Sequence, residues 1–202
     1  MGAIGGCLAF LVLIAVFAAI WAIWRYNNLI SLKYQVANAW KQIDVQLKRR
    51  HDLIPNLIAS VRGEMQFEQD TLEKVIAARN SAVAARGVAE TAEKENALTQ
   101  TLSRLFALAE NYPNLKANES VRTLMEELTS TENKIGFARQ YYNDVATRFN
   151  TAQQVFPDSL IAQAFKFQPV ELFEITEPAE REVPKVDLNI RPQGPGVQGP
   201  GG

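Results

Sequence analysis

Residues 2–24 contain no charged side chain and almost no polar one. As a helix, such a run of about 22 residues is roughly 33 Å long, the thickness of a bilayer's hydrocarbon core. Trp21, Trp24 and Tyr26 close the run with Arg25 between them, which is expected where amphipathic rings and a cation sit among lipid headgroups. A cleaved signal peptide would carry Lys or Arg ahead of its apolar stretch and small residues behind it. Here no basic residue precedes the run and bulky tryptophans end it, so residues 1–28 read as a transmembrane anchor. Too little apolar sequence precedes Cys7 for a lipoprotein signal, and it reads as a small packing residue. Gly2, Ala3, Gly5 and Gly6 are small enough to let two such helices approach closely.

Arg25, Lys33, Lys41, Lys48, Arg49 and Arg50 follow the span, and no cationic side chain precedes it. The positive-inside rule then places the N-terminus outside and the remaining chain in the cytoplasm.

The net charge of the whole chain is −1, which leaves no overall electrostatic basis for binding nucleic acid. The single cysteine lies within the apolar run, and His51 is the only histidine. That excludes a disulfide framework and a multi-cysteine metal site, and leaves His51 without a cysteine nucleophile to activate. The C-terminal glycines open no helix, so they form no phosphate-binding loop. No cofactor or metal site is expected, and the chain does not read as an enzyme.

Beyond the span, Leu29, Leu32, Val36, Trp40, Ile43, Leu47, Ile54, Leu57 and Val61 recur at three- and four-residue steps, which places them on one face of a helix continuous with the anchor. Pro55 falls inside this pattern, where it should kink the helix or start a new one. A second helix is predicted over about residues 64–86, with Phe67, Leu72, Val75, Ile76 and Val83 inward. Gly87 then serves as a C-cap and Thr91 as the N-cap of a third helix to about residue 111. Asn118 caps a last long helix to about residue 156, with Val121, Leu128, Ile135, Tyr142, Val145 and Phe149 on its apolar stripe. Periodicity alone leaves open whether the chain reverses near Gly63. No strand-like alternation of comparable length appears, so the fold class is all-α, an antiparallel bundle over residues 29–175. The short apolar segment 159–174 is expected to fold back over an end of that bundle. Residues 176–202 turn to Pro, Gly and charge and are expected to be a disordered tail.

Arg50 lies on the apolar stripe between Leu47 and Ile54. A charge buried there needs a partner, and Glu132 and Asp144 on the last helix are the candidates for a structural bridge. Lys48 and Arg49 form a basic patch, but Arg49 lies some 36 Å along a helix from the span, so a solvated helix face explains them better than lipid binding. His51 has no Glu three residues before it, so the Glu-x-x-His spacing of di-iron bundles fails; it reads as a packing or surface histidine.

The wording of the chain adds a resemblance. The stretch from Ala39-Trp40-Lys41-Gln42-Ile43-Asp44 through Arg50-His51-Asp52-Leu53-Ile54-Pro55-Asn56-Leu57 closely resembles the signature of the LemA family, as do Glu110-Asn111-Tyr112-Pro113-Asn114-Leu115, Thr131-Glu132-Asn133-Lys134-Ile135 and Ala138-Arg139-Gln140-Tyr141-Tyr142-Asn143. The resemblance covers the chain from just after the span to about Phe173. It implies a protein of the bacterial inner membrane with a four-helix bundle, and hence a reversal near Gly63. It also implies no established enzymatic activity, and loose links to envelope stress, membrane-bound zinc proteases, TPM-domain proteins and, in one branch, magnetosome membranes. Together the readings lead to a self-assembling scaffold that touches membrane lipid and organises a membrane patch or stress complex. The alternative is an accessory subunit of a membrane protease or TPM-domain partner.

Overall fold

The computed structural model describes residues 2–63, 65 and 68–174, with the side chains of residues 2–5 and 7 excepted, and its regular structure among these is entirely helical. The expectations for Cys7, for Ala3 with Gly2 and Gly5, for Phe67 and for the tail 176–202 lie outside the described residues, while Gly6 is exposed on α1 with nothing packed against it.

Helix α1 runs from Gly2 to Val61, 60 residues or roughly 90 Å at the α-helical rise. Its residues 8–20 are exposed on all sides, with a mean hydropathy of 2.3 in the most apolar stretch, as a helix surrounded by lipid requires. From Leu29 onward the predicted stripe turns inward: Leu29, Val36, Ile43, Leu47, Ile54, Leu57 and Val61 are buried. After Val61 the chain reverses through Arg62 and Gly63, and buried Met65 fills the turn, its N–H donating to the Val61 carbonyl at 3.0 Å.

Helices α2 (Gln69–Ala84) and α3 (Gly87–Ala109) form a hairpin. Leu72 and Val75 are buried as expected, but Val83 faces out and Ala82 packs in its place. Thr91 does not cap α3. It lies a full turn inside, its hydroxyl donating to the Gly87 carbonyl at 2.6 Å. The helix starts earlier because Gly87, at φ +77°, makes the turn without steric cost, and the Glu90 carboxylate in the first turn accepts the Arg86 N–H at 2.9 Å. The short α4 (Pro113–Ala117) leads into α5 (Glu119–Gln154), where the Asn118 carboxamide oxygen accepts from the N–H groups of Ser120 and Val121. A last short helix, α6, spans Asp158–Ala164.

The cross-helix contacts fix direction. As α1 advances through Arg25, Trp40 and Arg50, its partners retreat through Asp158, Tyr142 and Glu132, so α1 and α5 are antiparallel with constant register. The apolar core divides in two. A membrane-proximal part holds Val36, Ile43, Leu47, Tyr142, Val145 and Phe149. A distal part holds Ile54, Leu57, Leu98, Leu102, Leu105 and Leu128.

Pro55 neither ends nor restarts the helix, which continues to Val61. Proline has no N–H, so the carbonyl four residues back, that of His51, loses its helical donor. Arg79 of α2 supplies the missing bond: its Nε donates to the His51 carbonyl at 2.9 Å. The defect in α1 thereby becomes a docking point for α2.

Residues 165–174 do not cover an end of the bundle. They form a strap along α5, leading away from the membrane-proximal end. Asn150 and Asn143, two turns apart, each grip the strap twice, donating to the carbonyls of Val170 and Phe173 and accepting from the N–H groups of the same residues at 2.8–3.1 Å. The Tyr142 hydroxyl donates to the Glu171 carbonyl at 2.7 Å, and Phe173 packs beside Trp40.

Replacing Arg79 with Met should destabilise the protein by about 1 kcal/mol, the cost of leaving a part-buried carbonyl without its donor, and Pro55→Ala should suppress most of that loss by restoring the helical donor. Denaturation of the four proteins of this double-mutant cycle in detergent checks it, and additive effects would refute the pairing. Burial, and secondarily Glu171, raises Tyr142 above its ordinary value of 10.0. The folded state therefore holds the phenol proton to higher pH than the unfolded state, so this contribution is full below about pH 10 and is lost as pH rises through the raised value. In Tyr142→Phe the alkaline loss of stability should be smaller, as read from melting temperatures between neutral pH and pH 11.

Candidate functional site

Two polar assemblies interrupt the apolar packing. The first separates the two halves of the core. Arg50, 1% exposed, places Nη1 3.2 Å from Glu95 Oε2 on α3 and 3.1 Å from Glu132 Oε2 on α5, while Nη2 donates to Thr99 Oγ1 at 2.8 Å. Thr99 Oγ1 also lies 3.0 Å from Glu132 Oε1 and 3.1 Å from the Glu95 carbonyl, so its single proton serves one of them. His51 Nε2 sits 2.6 Å from the second Glu95 oxygen. Burial pushes the Arg50 guanidinium below its ordinary value, and Glu132 and Glu95 oppose that shift; the group stays charged because arginine starts so high.

The structure brings Arg50 and Glu132 together and leaves Asp144 apart, on an exposed face about 18 Å further along α5. Sequence reasoning missed Glu95, which is 3% exposed. The signal was present: Glu95 stands on the apolar stripe of α3 between Ala92 and Leu98, as Arg50 does on α1. His51 is partly buried and bonded rather than a surface residue. A hollow of about 190 Å³ lies beside the cluster, against Arg50, Thr99 and Glu132. The chemistry on offer is charge pairing that ties three helices together. Lys48 and Arg49 are exposed, and Arg49 pairs with Glu127 at 3.6 Å with both partners about half exposed, a contact of little energetic weight.

The second assembly sits where α1 leaves its apolar run. The Arg25 guanidinium lies over the rings of Trp24 and Trp21, at 4.9 and 5.8 Å from their centroids, and its Nε is 3.1 Å from Asp158 Oδ1. Tyr26 stacks against Phe165 at 4.6 Å and approaches Phe167 at 6.0 Å. All four residues expected at the membrane boundary thus share one neighbourhood, three of them through Arg25. The anion that pairs with Arg25, Asp158, comes from α6 and was not anticipated.

Removing Arg50 should cost about 3–5 kcal/mol, because the buried Glu95 loses its arginine partner and keeps only the His51 contact. Glu95→Gln should cost less than Arg50→Met, and Glu132→Gln least, since the Glu132 side chain is 38% exposed and solvent screens it. Chemical denaturation of the three variants in detergent tests the order; a larger loss for Glu132→Gln than for Arg50→Met would contradict it.

The LemA family profile matches residues 39–188 of this chain, reaching beyond Phe173 into what the sequence reading assigned to the tail. The chain is 27% identical to the protein LemA of Metamycoplasma hominis over 174 residues, which cover 84% of this chain and 78% of that protein. It is also similar to the magnetosome protein MamQ of Magnetospirillum gryphiswaldense, with 24% identity over 176 residues, and to magnetosome protein MamQ 2 of Paramagnetospirillum magneticum, with 21%. Each of these alignments covers 74% of this chain and just under two thirds of the magnetosome protein, 64% and 65% respectively.

Proposed function

The chain belongs to the LemA family, and on that premise we propose that it is a non-enzymatic scaffold of the bacterial inner membrane that assembles side by side and organises a patch of membrane or an envelope-stress complex. One observation carries the reading. An open groove of about 580 Å³, lined by α1 and α5 alone, presents Val45, Phe137 and Tyr141 to solvent between Lys41 and Lys134, and Phe137 is 73% exposed. An apolar patch of this kind on a folded domain is characteristic of an interaction surface. The anchor adds a geometric constraint. All copies in one membrane share orientation and height, so the same groove meets its counterpart at the same level, as a symmetric interface needs. The kinship with magnetosome proteins agrees with work at a membrane. The cations that follow the span favour a cytoplasmic bundle.

A second reading, an accessory subunit of a membrane-bound protease or of a TPM-domain protein, is favoured by a different feature. At the end of the bundle far from the membrane, α4 and α5 border a groove of about 670 Å³ with Leu115 and Met125 on its floor and Lys116, Arg122 and Glu126 around it. That mixture suits a partner's peptide.

A single thiol at Val45, introduced as Val45→Cys in a Cys7→Ala background, separates the readings in intact cells. The scaffold predicts a self-crosslinked dimer, the largest product one thiol per copy allows, with a membrane-permeant bis-maleimide and none with an impermeant one, and a several-fold weaker dimer band when Phe137→Glu is added. Monomer under both reagents, with a stoichiometric foreign protein co-purifying, would decide for the accessory subunit. Crosslinking by the impermeant reagent would reverse the orientation.

A further inference from the structure

The α1–α5 register fixes the height of the α5–α6 corner above the bilayer. Trp40 packs on Tyr142 and Arg50 pairs with Glu132, so the same antiparallel register carried down the bundle places residues 155–156 opposite residues 26–27. The Arg25–Asp158 pair and the Tyr26–Phe165 stack put α6 at that height independently. Residues 26–27 lie only about 3–5 Å along the helix beyond Trp24, within the headgroup layer of roughly 5–8 Å on each side of the core.

At this level the corner exposes large apolar side chains. Val155 is 54% exposed, Phe156 75%, Leu160 56% and Phe165 60%. Phe156 and Leu160 stand four residues apart, while Asp158 between them is turned inward to Arg25. The one charged residue between Phe156 and Leu160 thus faces protein while these large apolar side chains face outward, the reverse of what an aqueous surface selects. Close by, Lys33 and Lys166 border a hollow of about 420 Å³ floored by Tyr26, Phe165 and Phe167, which suits the anionic headgroups next to which juxtamembrane cations gather.

We propose that the α5–α6 corner is a second membrane contact, in which Val155, Phe156, Leu160 and Phe165 insert into the lipid interface beside α1 while Lys33 and Lys166 meet anionic headgroups. The occupant of the exposed patch is the bilayer surface from which α1 emerges. The Arg25–Asp158 pair is the latch that holds the corner down. Each molecule then grips the membrane through a spanning helix and a shallow wedge on one side of it, which prevents the bundle from swivelling about a single point.

The full-length protein is tested in vesicles of phosphatidylethanolamine and phosphatidylglycerol, in a Cys7→Ala background, with a fluorophore on a single thiol and nitroxide-bearing lipids as quenchers. Leu160→Cys should be quenched nearly as strongly as the reference Trp24→Cys and several-fold more strongly than Phe137→Cys. Phe156→Cys repeats the measurement in case the Leu160 variant misfolds, and helicity is checked for each. Quenching at residues 156 and 160 no stronger than at residue 137 would overturn the proposal, whether all three are low because the corner stands clear of lipid, or all are high because the bundle lies flat. Protection of residue 160 from both lipid and aqueous quenchers, with self-crosslinking there, would overturn it in favour of a second copy. None of these outcomes depends on whether the groove around Val45 mediates assembly.

Discussion

Inside the hydrocarbon layer the backbone of α1 has only itself to hydrogen-bond with, and nothing in the residues that follow gives the helix reason to stop at the headgroups. It runs without a break to Val61, so the anchor and the first bundle helix are one element. Any rotation or tilt of the bundle is therefore a rotation or tilt of the membrane segment. The rest of the chain is arranged along this element. α5 lies antiparallel to it from Arg50 down to Arg25, the α2–α3 hairpin closes over its far half, and the strap runs beside it from Tyr26 to Trp40.

Apolar stripes alone would hold these helices together in several registers. A slip of α5 by one turn moves every side chain by about 5.4 Å and still sets apolar side chains against apolar side chains, but it would carry Glu132 out of reach of Arg50. The polar layer of Arg50, Glu95, Thr99 and Glu132, set between two apolar halves of the core, therefore discriminates between registers more than it adds stability, because desolvation offsets much of the attraction within a buried ion pair. Pro55 and Arg79 act in the same sense. The carbonyl that proline leaves without a donor is satisfied only when α2 is correctly placed.

The exposed apolar surface also follows the anchor. The groove around Phe137 runs along the α1–α5 pair, and the patch around Phe156 lies beside the end of the apolar run. A soluble protein would bury or lose such patches, whereas a chain fixed at constant height above a bilayer meets lipid and its own copies at predictable levels.

Much of this was legible in the amino-acid sequence. The anchor, the stripes from Leu29 to Val61 and from Val121 to Phe149, the Asn118 cap and the buried arginine are all local patterns, readable because the periodicity of a helix is a property of a single segment. The same logic could have found Glu95, a lone charge on an apolar stripe. What the tertiary structure alone decided are relations between segments tens of residues apart. It chose Glu95 and Glu132 over Asp144 as the partners of Arg50, brought Arg79 to the carbonyl freed by Pro55, laid the strap along α5 instead of across its end, and set Asp158 against Arg25 so that the α5–α6 corner sits beside the end of the apolar run. Each of these depends on inter-helix register, which is set by packing across the whole bundle and leaves no periodic trace in any one helix.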